Sequence, residues 1–200
     1  MAGKQAKLLL PRDVARALSA IRKTRYPLRD RVMFLLSVKA GLRAAEIAGL
    51  TWPMVLNPNG RLSGAIELHD RTAKNRRGRA IPIHPQLATS LEKLRQKSVR
   101  AKRELSGPVL RSERGIASSG ALTAGAVVHW FAWLYQELGL EGCSSHSGRR
   151  TFVTYAARAV GKVGATLRDV QQLAGHASIE TTQRYIEGDT VAKRRLVALL

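Results

Sequence analysis

One pair of alternating segments, set among blocks of helical periodicity, restricts the fold of this chain more than any other feature. Residues 65–69 alternate apolar and polar side chains, as a half-buried strand does. Residues 79–83 predict a partner strand, and the stretch 70–78 between them is polar and basic. The pattern therefore predicts a small antiparallel hairpin, or a three-stranded antiparallel sheet, with a basic tip.

Apolar residues elsewhere recur at the spacing of amphipathic helices. Val14, Leu18 and Ile21 follow one another at steps of four and three. Gly41 stands where a glycine past a helix end often stands, and Thr123 can cap a later helix. These signals predict an α+β fold that is mainly α-helical. The predicted helices cover residues 12–23, 28–39, 43–50, 86–105, the segment after Thr123, and residues 147–159, 166–174 and 178–186.

The charge balance indicates the class of partner. Lys and Arg number 34 against 14 Asp and Glu, so the formal net charge is +20. Self-repulsion of this size opposes a compact state unless a polyanion compensates it, and the commonest such partner is nucleic acid. A merely basic, solvated surface is the competing interpretation. The charge balance therefore favours nucleic acid as the partner.

Other classes of protein fit the composition poorly. A hydrophobic content of 44% is typical of a folded globular domain rather than a disordered chain. Cys143 is the single cysteine, so no internal disulfide forms, and the pattern predicts neither a metal site nor a cofactor. The apolar stretch 32–42 contains Ser37 and Lys39 and predicts no membrane span. These features suit a reducing cytoplasm.

Several side chains have the chemistry needed to hold a phosphodiester. Arg43 and Arg149 each offer a planar fork that binds two phosphate oxygens, which a lysine does not. Two such groups would neutralise the charge that grows in a phosphoryl-transfer transition state. Lys74, in the basic tip, would reach across and protonate a leaving oxygen. Each of these residues also has an ordinary interpretation as a solvated surface charge.

Tyr185 is the candidate nucleophile. Only roughly one phenol in a thousand is ionised at neutral pH, so attack needs a base or a cationic environment. His146 and His176 are the candidates for the base. Segment 166–185 has a competing interpretation as a helix-turn-helix, which would make the chain a DNA-binding module without chemistry.

The order of these residues resembles that of the tyrosine recombinase (phage integrase) family. The resemblance covers the chain from about Leu10 to Tyr185, and the combined signal is more specific than any single box. The matching segments are residues 40–47 around the first arginine, residues 146–149 as the H-x-x-R box, residues 173–176 followed nine positions later by Tyr185, and residues 72–74 ahead of the second strand.

The resemblance implies a reaction as well as a fold. Tyr185 would attack the scissile phosphate and form a 3′-phosphotyrosyl link, with Lys74 as general acid and His146 as base or proton acceptor. Neither ATP nor a metal would be needed. The expected outcome is site-specific integration, excision, inversion or resolution, and the alternative is relaxation of the type IB topoisomerase kind. The phosphate would be held by Arg43, Arg149 and His176, and Glu46 would support the first arginine.

Binding residues and partners follow from the same resemblance. The resemblance implies double-stranded DNA as the partner and a homo-oligomer on that DNA, either a dimer or a tetramer, with an accessory DNA-bending or recombination partner possible. The expected location is the cytoplasm of a prokaryote, in association with the nucleoid. The predicted DNA contacts are Arg71, Arg76, Arg77, Arg79, Arg150 and Arg184.

The domain prediction is a single catalytic domain. Residues 1–11 form a lead-in, residues 12–186 the catalytic core, and residues 187–200 an apolar and basic tail that packs either in trans or on its own domain. No separate N-terminal core-binding domain is expected, as in the short members of the family, and the alternative is that the chain is a fragment. Gly148 stands where the family usually has leucine, and we expect looser packing behind Arg149 there.

Overall fold

The computed structural model describes residues 6–69, 78–112 and 120–185, with residues 194, 197 and 198. Within them the chain forms a helical body with one small hairpin, which confirms the predicted fold class. The elements are α1 (Pro11–Ile21), α2 (Pro27–Ala40), α3 (Ala44–Ala48), a 3-10 turn (Trp52–Met54), β1 (Ala65–Leu68), β2 (Arg79–Pro82), α4 (Pro85–Arg100), α5 (Ala124–Glu137), α6 (Ser147–Val163), α7 (Leu167–Ala174) and α8 (Ile179–Gln183).

The hairpin and most helix boundaries lie close to their predicted positions. β1 and β2 pair antiparallel, with Ile66 opposite Ile81, and the described residues contain two strands rather than three. Helix α4 ends at Arg100 instead of residue 105, and Lys102 just beyond it adopts a φ of 52°. Helix α6 continues past the predicted end at residue 159 to Val163, where Gly164 ends it in the left-handed conformation. No described helix has both the length and the apolarity to cross a membrane.

Helix α2 is the centre of the fold. Its residues from Val32 to Val38 are all buried, so it is surrounded by protein rather than lying on the surface. It packs against α4 on one side and α6 on another. Gly41 ends α2 in the left-handed conformation, with a φ of 66°. This ending places the carbonyl of Gly41 and the loop that leads to Arg43 beside the start of α6.

A glycine on α6 sets how closely α6 approaches α2. A Cβ at Gly148 would overlap Ser37 Oγ and lie 3.0 Å from a methyl group of Val38. The two helices therefore meet more closely than a leucine at this position would permit. The expectation of looser packing behind Arg149 is wrong, because side chains of α2 occupy the space that a side chain at position 148 would take.

The lead-in segment packs against the beginning of α6. The backbone N–H of Lys7 donates to the carbonyl of Gly142 over 3.0 Å. The N–H of Leu9 donates to Thr151 Oγ1 over 2.9 Å, and the Leu9 side chain is fully buried. Residues 6–9 thus run along the same end of α6 that carries Arg149.

A second, smaller apolar cluster joins α6 to α7. Val153 and Ala157 of α6 pack against Val170 and Ala174 of α7. Tyr185 is half-buried against this cluster. Packing between α6 and α7 therefore places the last part of the described chain next to Arg149.

Candidate active site

Arg149 is a buried arginine at the first turn of α6. Its residue is only 3% exposed, and its guanidinium donates to the carbonyl of Gly41 over 2.7 Å and to that of Ala174 over 2.5 Å. Burial, and then the positive charge of Arg43, lowers the pKa of Arg149 to about 10, so it remains charged at neutral pH. Two backbone carbonyls from opposite sides thus fix a full positive charge at the base of the site.

Arg43 lies at the start of α3 and is held by Glu46. The backbone N–H of Arg43 donates to Glu46 Oε2 over 2.8 Å, and its Nη1 donates to Oε1 over 2.9 Å. This arrangement is a capping interaction, in which a carboxylate three residues into a helix binds back to its start. The Arg43 side chain is 24% exposed, so the guanidinium is oriented from inside while part of it stays open to solvent.

Arg79 also binds Glu46, and this corrects its predicted role as a DNA contact. Its Nη1 and Nη2 each donate to a carboxylate oxygen over 2.9 Å, and its Nε donates to the carbonyl of Leu173 over 3.0 Å. The side chain is only 7% exposed. Three donors are used inside the protein, so Arg79 holds the base of the hairpin against α3 and α7 instead of facing a ligand.

Glu46 is a buried carboxylate shared by two arginines. Burial by itself would raise its pKa, but the hydrogen bond and charge of Arg79, followed by those of Arg43, outweigh burial and lower the pKa below its ordinary value. Glu46 is therefore ionised at neutral pH. The predicted support of Arg43 by Glu46 is visible in the geometry, and Arg79 is a second partner that the sequence did not indicate.

His176 follows a tight turn at the end of α7. Gly175 has a φ of 62°, and a Cβ there would lie 2.8 Å from Nη1 of Arg79, so both the turn and its arginine neighbour require glycine. The carbonyl of His176 accepts from Gln171 Nε2 over 3.1 Å, and its Nδ1 bonds Thr182 Oγ1 over 2.9 Å. Burial, and then the charge of Arg149, lowers the pKa of His176 to about 4, so the ring is neutral at pH 7.

Tyr185 lies flat against the ring of His176. The ring centroids are 5.3 Å apart and the planes are inclined by 20°. The tyrosine backbone is fixed as well, because its N–H donates to the carbonyl of Thr182 over 3.1 Å and its carbonyl accepts from Thr154 Oγ1 over 3.3 Å. The stacked arrangement brings the phenol to the same cleft as Arg149.

That cleft has a volume of about 420 Å³ and is strongly basic. His146 is exposed at its edge, just ahead of α6. Arg150 lines it too, and its guanidinium also donates to the carbonyl of Ala6 over 2.6 Å. The lining residues are Ala6, Ser144, His146, Arg149, Arg150, Thr181, Arg184 and Tyr185.

The structure thus brings together five of the six predicted reactive side chains around one cleft and its inner wall. His176 adjoins the cleft by stacking on Tyr185, and Arg43 is close enough for its charge to lower the pKa of both Arg149 and His176. Arg150 and Arg184 line the cleft, and their role as DNA contacts stays a prediction. The predictions for Lys74, Arg71, Arg76 and Arg77 lie outside the described residues.

Two polar residues of the site were missed by sequence reasoning. Gln171 is 6% exposed and Thr182 is fully buried, and both bond His176. A signal was available for Gln171, because it stands four positions after Leu167 and three before Ala174, on the apolar face of α7. Thr182 had no such signal, since Thr181 beside it has the same side chain and is only half-buried.

The helix-turn-helix interpretation of residues 166–185 is not supported by this geometry. Helix α8 has only five residues, and its buried Thr182 points at His176 rather than outward. A recognition helix instead offers an exposed face to a DNA groove. The part of the chain that the structure describes also contains no group of three or more His, Cys, Asp or Glu side chains placed to hold a metal ion.

The assembled groups suit an anionic tetrahedral ligand. Two fixed guanidinium groups provide positive charge, the neutral imidazole provides a ring nitrogen beside them, and a phenol stands at the mouth. The phage integrase family model matches residues 7–190 of the sequence. The chain belongs to the phage integrase family.

Relatives in the phage integrase family include bacterial tyrosine recombinases. The chain is 31% identical over 175 residues to tyrosine recombinase XerD of Lacticaseibacillus casei, covering 86% of this chain and 54% of that protein. It is 30% identical over 165 residues to tyrosine recombinase XerC of Brucella suis biovar 1, covering 81% of this chain and 47% of that protein. The chain therefore spans about half the length of the relatives it matches.

Solved structures of phage integrase family proteins share the fold. XerH site-specific recombinase bound to palindromic difH substrate superposes with a TM-score of 0.73 at 19% identity, covering 99% of this chain and 54% of that one. The Tn1549 transposon integrase in complex with a circular intermediate DNA gives a TM-score of 0.70, also at 19% identity, covering 100% of this chain and 67% of that one. The observed architecture is thus the fold of these recombinases.

Proposed function

We propose that this chain is the catalytic domain of a site-specific DNA recombinase that cleaves and rejoins strands through a 3′-phosphotyrosyl intermediate. The observation that carries the proposal is the stacking of Tyr185 on His176 beside the buried charge of Arg149. A nucleophile, a phosphate-binding arginine and a ring hydrogen-bonding group thereby meet at one basic cleft.

The cleavage step begins at the phenol of Tyr185. Its oxygen bonds to the scissile phosphorus, the bond from phosphorus to the 5′ oxygen breaks, and the DNA 3′ end remains attached to the tyrosine. The tyrosine proton passes to a base and the leaving oxygen gains a proton, giving a free 5′-hydroxyl. Arg43 and Arg149 stabilise the non-bridging oxygens as charge moves onto them. A 5′-hydroxyl from another strand reverses the step and completes the exchange.

The two proton transfers are assigned to different side chains. His146 is exposed at the cleft edge and accepts the phenol proton. Lys74 donates to the leaving 5′ oxygen from the hairpin tip. The base of that hairpin is fixed to the site by Arg79 through Glu46 and Leu173, and this supports a hairpin that delivers its tip to the scissile phosphate. The bond energy stays in the phosphotyrosyl link, so the step uses neither ATP nor a metal.

Double-stranded DNA and a second copy of the chain are the partners in this proposal. The net charge of +20 and the basic cleft support DNA, with Arg150 and Arg184 as contacts within the described residues and Arg71, Arg76 and Arg77 as contacts from the hairpin. Lambda integrase, which has a similar fold with a TM-score of 0.64, is known as a dimer bound to a core site. We extend this assembly to the present chain, in the cytoplasm of a prokaryote.

The decisive experiment is to trap the covalent intermediate. The protein is incubated with a duplex that is nicked near the site, so that a short fragment diffuses away after cleavage and religation fails. A pool of host sequences replaces the native site if that site is unknown. A protein–DNA band that resists SDS, with the attached peptide mapped to Tyr185, is the expected result, and Tyr185→Phe is expected to bind DNA without forming the band.

Other outcomes favour other functions. An adduct at Tyr185 with relaxation of supercoiled DNA, but no exchange between sites, would favour chemistry of the type IB topoisomerase kind. Tight DNA binding without any adduct would favour a DNA-binding regulator that has the fold but catalyses no reaction. An adduct of normal yield in Tyr185→Phe would place the nucleophile elsewhere.

A further inference from the structure

The hydroxyl of Thr182 is committed to one ring nitrogen of His176. Thr182 Oγ1 lies 2.9 Å from His176 Nδ1, and the threonine is completely buried. No second side chain or carbonyl in the described part of the chain bonds this hydroxyl. The contact spans from α8 back to the turn after α7, so it forms only when those two elements pack together.

The direction of this hydrogen bond follows from the burial of the hydroxyl. A hydroxyl carries one donor and two acceptor sites, and a neutral imidazole has one protonated and one free nitrogen. If Nδ1 carried the proton, the O–H of Thr182 would be a buried donor without an acceptor, which is costly. If the hydroxyl donates to Nδ1, only a lone pair of the oxygen goes unused.

We infer that Thr182 donates its hydroxyl proton to Nδ1 and thereby holds His176 in the neutral form protonated at Nε2. Thr182 is in this way a positioning residue that acts through the imidazole. The Nε2–H of His176 is then a hydrogen-bond donor. The next step rests on the proposed function: the acceptor of this Nε2–H is a non-bridging oxygen of the scissile phosphate. Because Nε2 carries a proton and Nδ1 accepts one from Thr182, His176 is excluded as the base that activates Tyr185.

The surroundings of the ring agree with a neutral imidazole. Charged groups reach it from three elements: Arg149 from α6, Arg43 from the start of α3 and Arg79 from β2, all of them positive. Tyr185 covers one face of the ring. A second proton would make the ring positive, and the three arginines would repel it. The same proton would occupy Nδ1 and break the hydrogen bond from Thr182, so both effects oppose protonation.

The test separates the hydroxyl from the shape of the side chain. Thr182→Val keeps the branched volume and loses the donor, whereas Thr182→Ser keeps the donor. The full chain is labelled with ¹⁵N-histidine, and long-range ¹H–¹⁵N spectra report which nitrogen of each ring carries the proton. The chain has five histidines, so the signals that vanish in His176→Gln identify His176.

In the wild type we expect His176 to be neutral and protonated at Nε2 from pH 7 down to about pH 5. The same pattern is expected in Thr182→Ser, and a mixture of the two neutral forms in Thr182→Val. A wild-type ring that is protonated at Nδ1, or that is charged at pH 7, overturns the inference even if Thr182→Val does not fold. An unchanged ring in a folded Thr182→Val overturns it as well.

A kinetic measurement then connects the tautomer to the site. We expect Thr182→Val to form the trapped adduct about 10- to 100-fold more slowly at unchanged DNA affinity, because a misplaced donor acts only in the transition state. Thr182→Ser should cleave within a few-fold of the wild type. Equal rates in all three proteins would overturn the positioning role. If the wild type forms no adduct, the proposed function fails, while the spectra still decide the tautomer.

Discussion

Arg79 and Glu46 form a two-pronged ion pair, with both N···O distances at 2.9 Å, between the base of the hairpin and α3. The same carboxylate holds Arg43 through its backbone and its guanidinium. One buried negative charge therefore fixes two arginines, one of them three residues and the other 33 residues away from it in the sequence. The base of the hairpin and Arg43 are therefore held in one geometry by a single buried carboxylate.

Glu46→Gln is expected to destabilise the protein by on the order of 3 kcal/mol at pH 7, because two buried or half-buried arginines lose their counter-charge. The folded-state pKa of Glu46 lies below its ordinary value of 4.5, so its contribution is present above that pH and is lost as the pH falls through the lowered folded-state pKa. Urea unfolding at pH 7, 5 and 3.5 should show the difference from wild type shrinking with acidity.

Glu141→Gln is a matched control, because Glu141 is an exposed glutamate on the loop before α6. Its free energy of unfolding should stay within about 0.5 kcal/mol of the wild type. A Glu46→Gln protein whose deficit is the same at all three pH values would contradict the assignment of this ion pair.

Arg149→Ala should lower the rate of adduct formation by about 10²–10³-fold, as removal of one preorganised oxyanion donor does. The carbonyls of Gly41 and Ala174 also lose their donor, so the melting temperature should fall. Arg22→Ala, at an exposed position just past α1, removes the same charge from the surface and should change neither quantity. A cleavage rate of Arg149→Ala within a few-fold of wild type would remove Arg149 from the site.

Lys74→Ala should slow cleavage by about 10²–10⁴-fold if the lysine protonates the leaving oxygen. A substrate in which sulfur replaces the 5′ leaving oxygen should restore the rate, because a thiolate is far less basic than an alkoxide and leaves without a proton. Arg77→Ala removes another charge of the basic tip, and its loss of cleavage rate relative to wild type should be the same on both substrates. Failure of the sulfur substrate to restore Lys74→Ala would assign the acid to another group.

Gly148→Ala should destabilise the protein by about 1–3 kcal/mol, since the new methyl group would overlap Ser37 Oγ between α6 and α2. Gly161→Ala is a control on the same helix, because nothing lies within 4 Å of its added Cβ. That change should stabilise by about 0.5–1 kcal/mol through helix propensity alone. Thermal unfolding compares the two, and equal shifts would show that the contact between α2 and α6 is not tight.

A double variant tests whether the overlap with Ser37 Oγ causes the destabilisation by Gly148→Ala. Ser37 Oγ is buried and has no hydrogen-bond partner in the described structure, so Ser37→Ala removes an atom that contributes little. Combined with Gly148→Ala it should recover part of the lost stability, and a double-mutant cycle measures the coupling. If the stability changes of Ser37→Ala and Gly148→Ala were strictly additive, the destabilisation by Gly148→Ala would not come from the contact with Ser37 Oγ.

The sequence by itself determined most of the elements and the order of the candidate reactive groups. The steps of three and four in α1 and the alternation of β1 depend on neighbours within a few residues, so periodicity was enough to find them. Gly41 was likewise readable as the end of a helix. Arg43, His146, Arg149, His176 and Tyr185 were identified because their order matches that of a family whose chemistry needs each of them.

Only the tertiary structure decided what holds those groups in place. Arg79 looked like one more charge of a basic hairpin, and its bond to the carbonyl of Leu173 joins residues 94 apart. Arg149 reaches the carbonyl of Gly41 across 108 residues, and Gly148 permits that approach. Thr182 differs from Thr181 in its burial and in its bond to His176. No local pattern encodes such contacts, because they arise when α2, α6 and α7 pack against each other and exclude water from the charges between them.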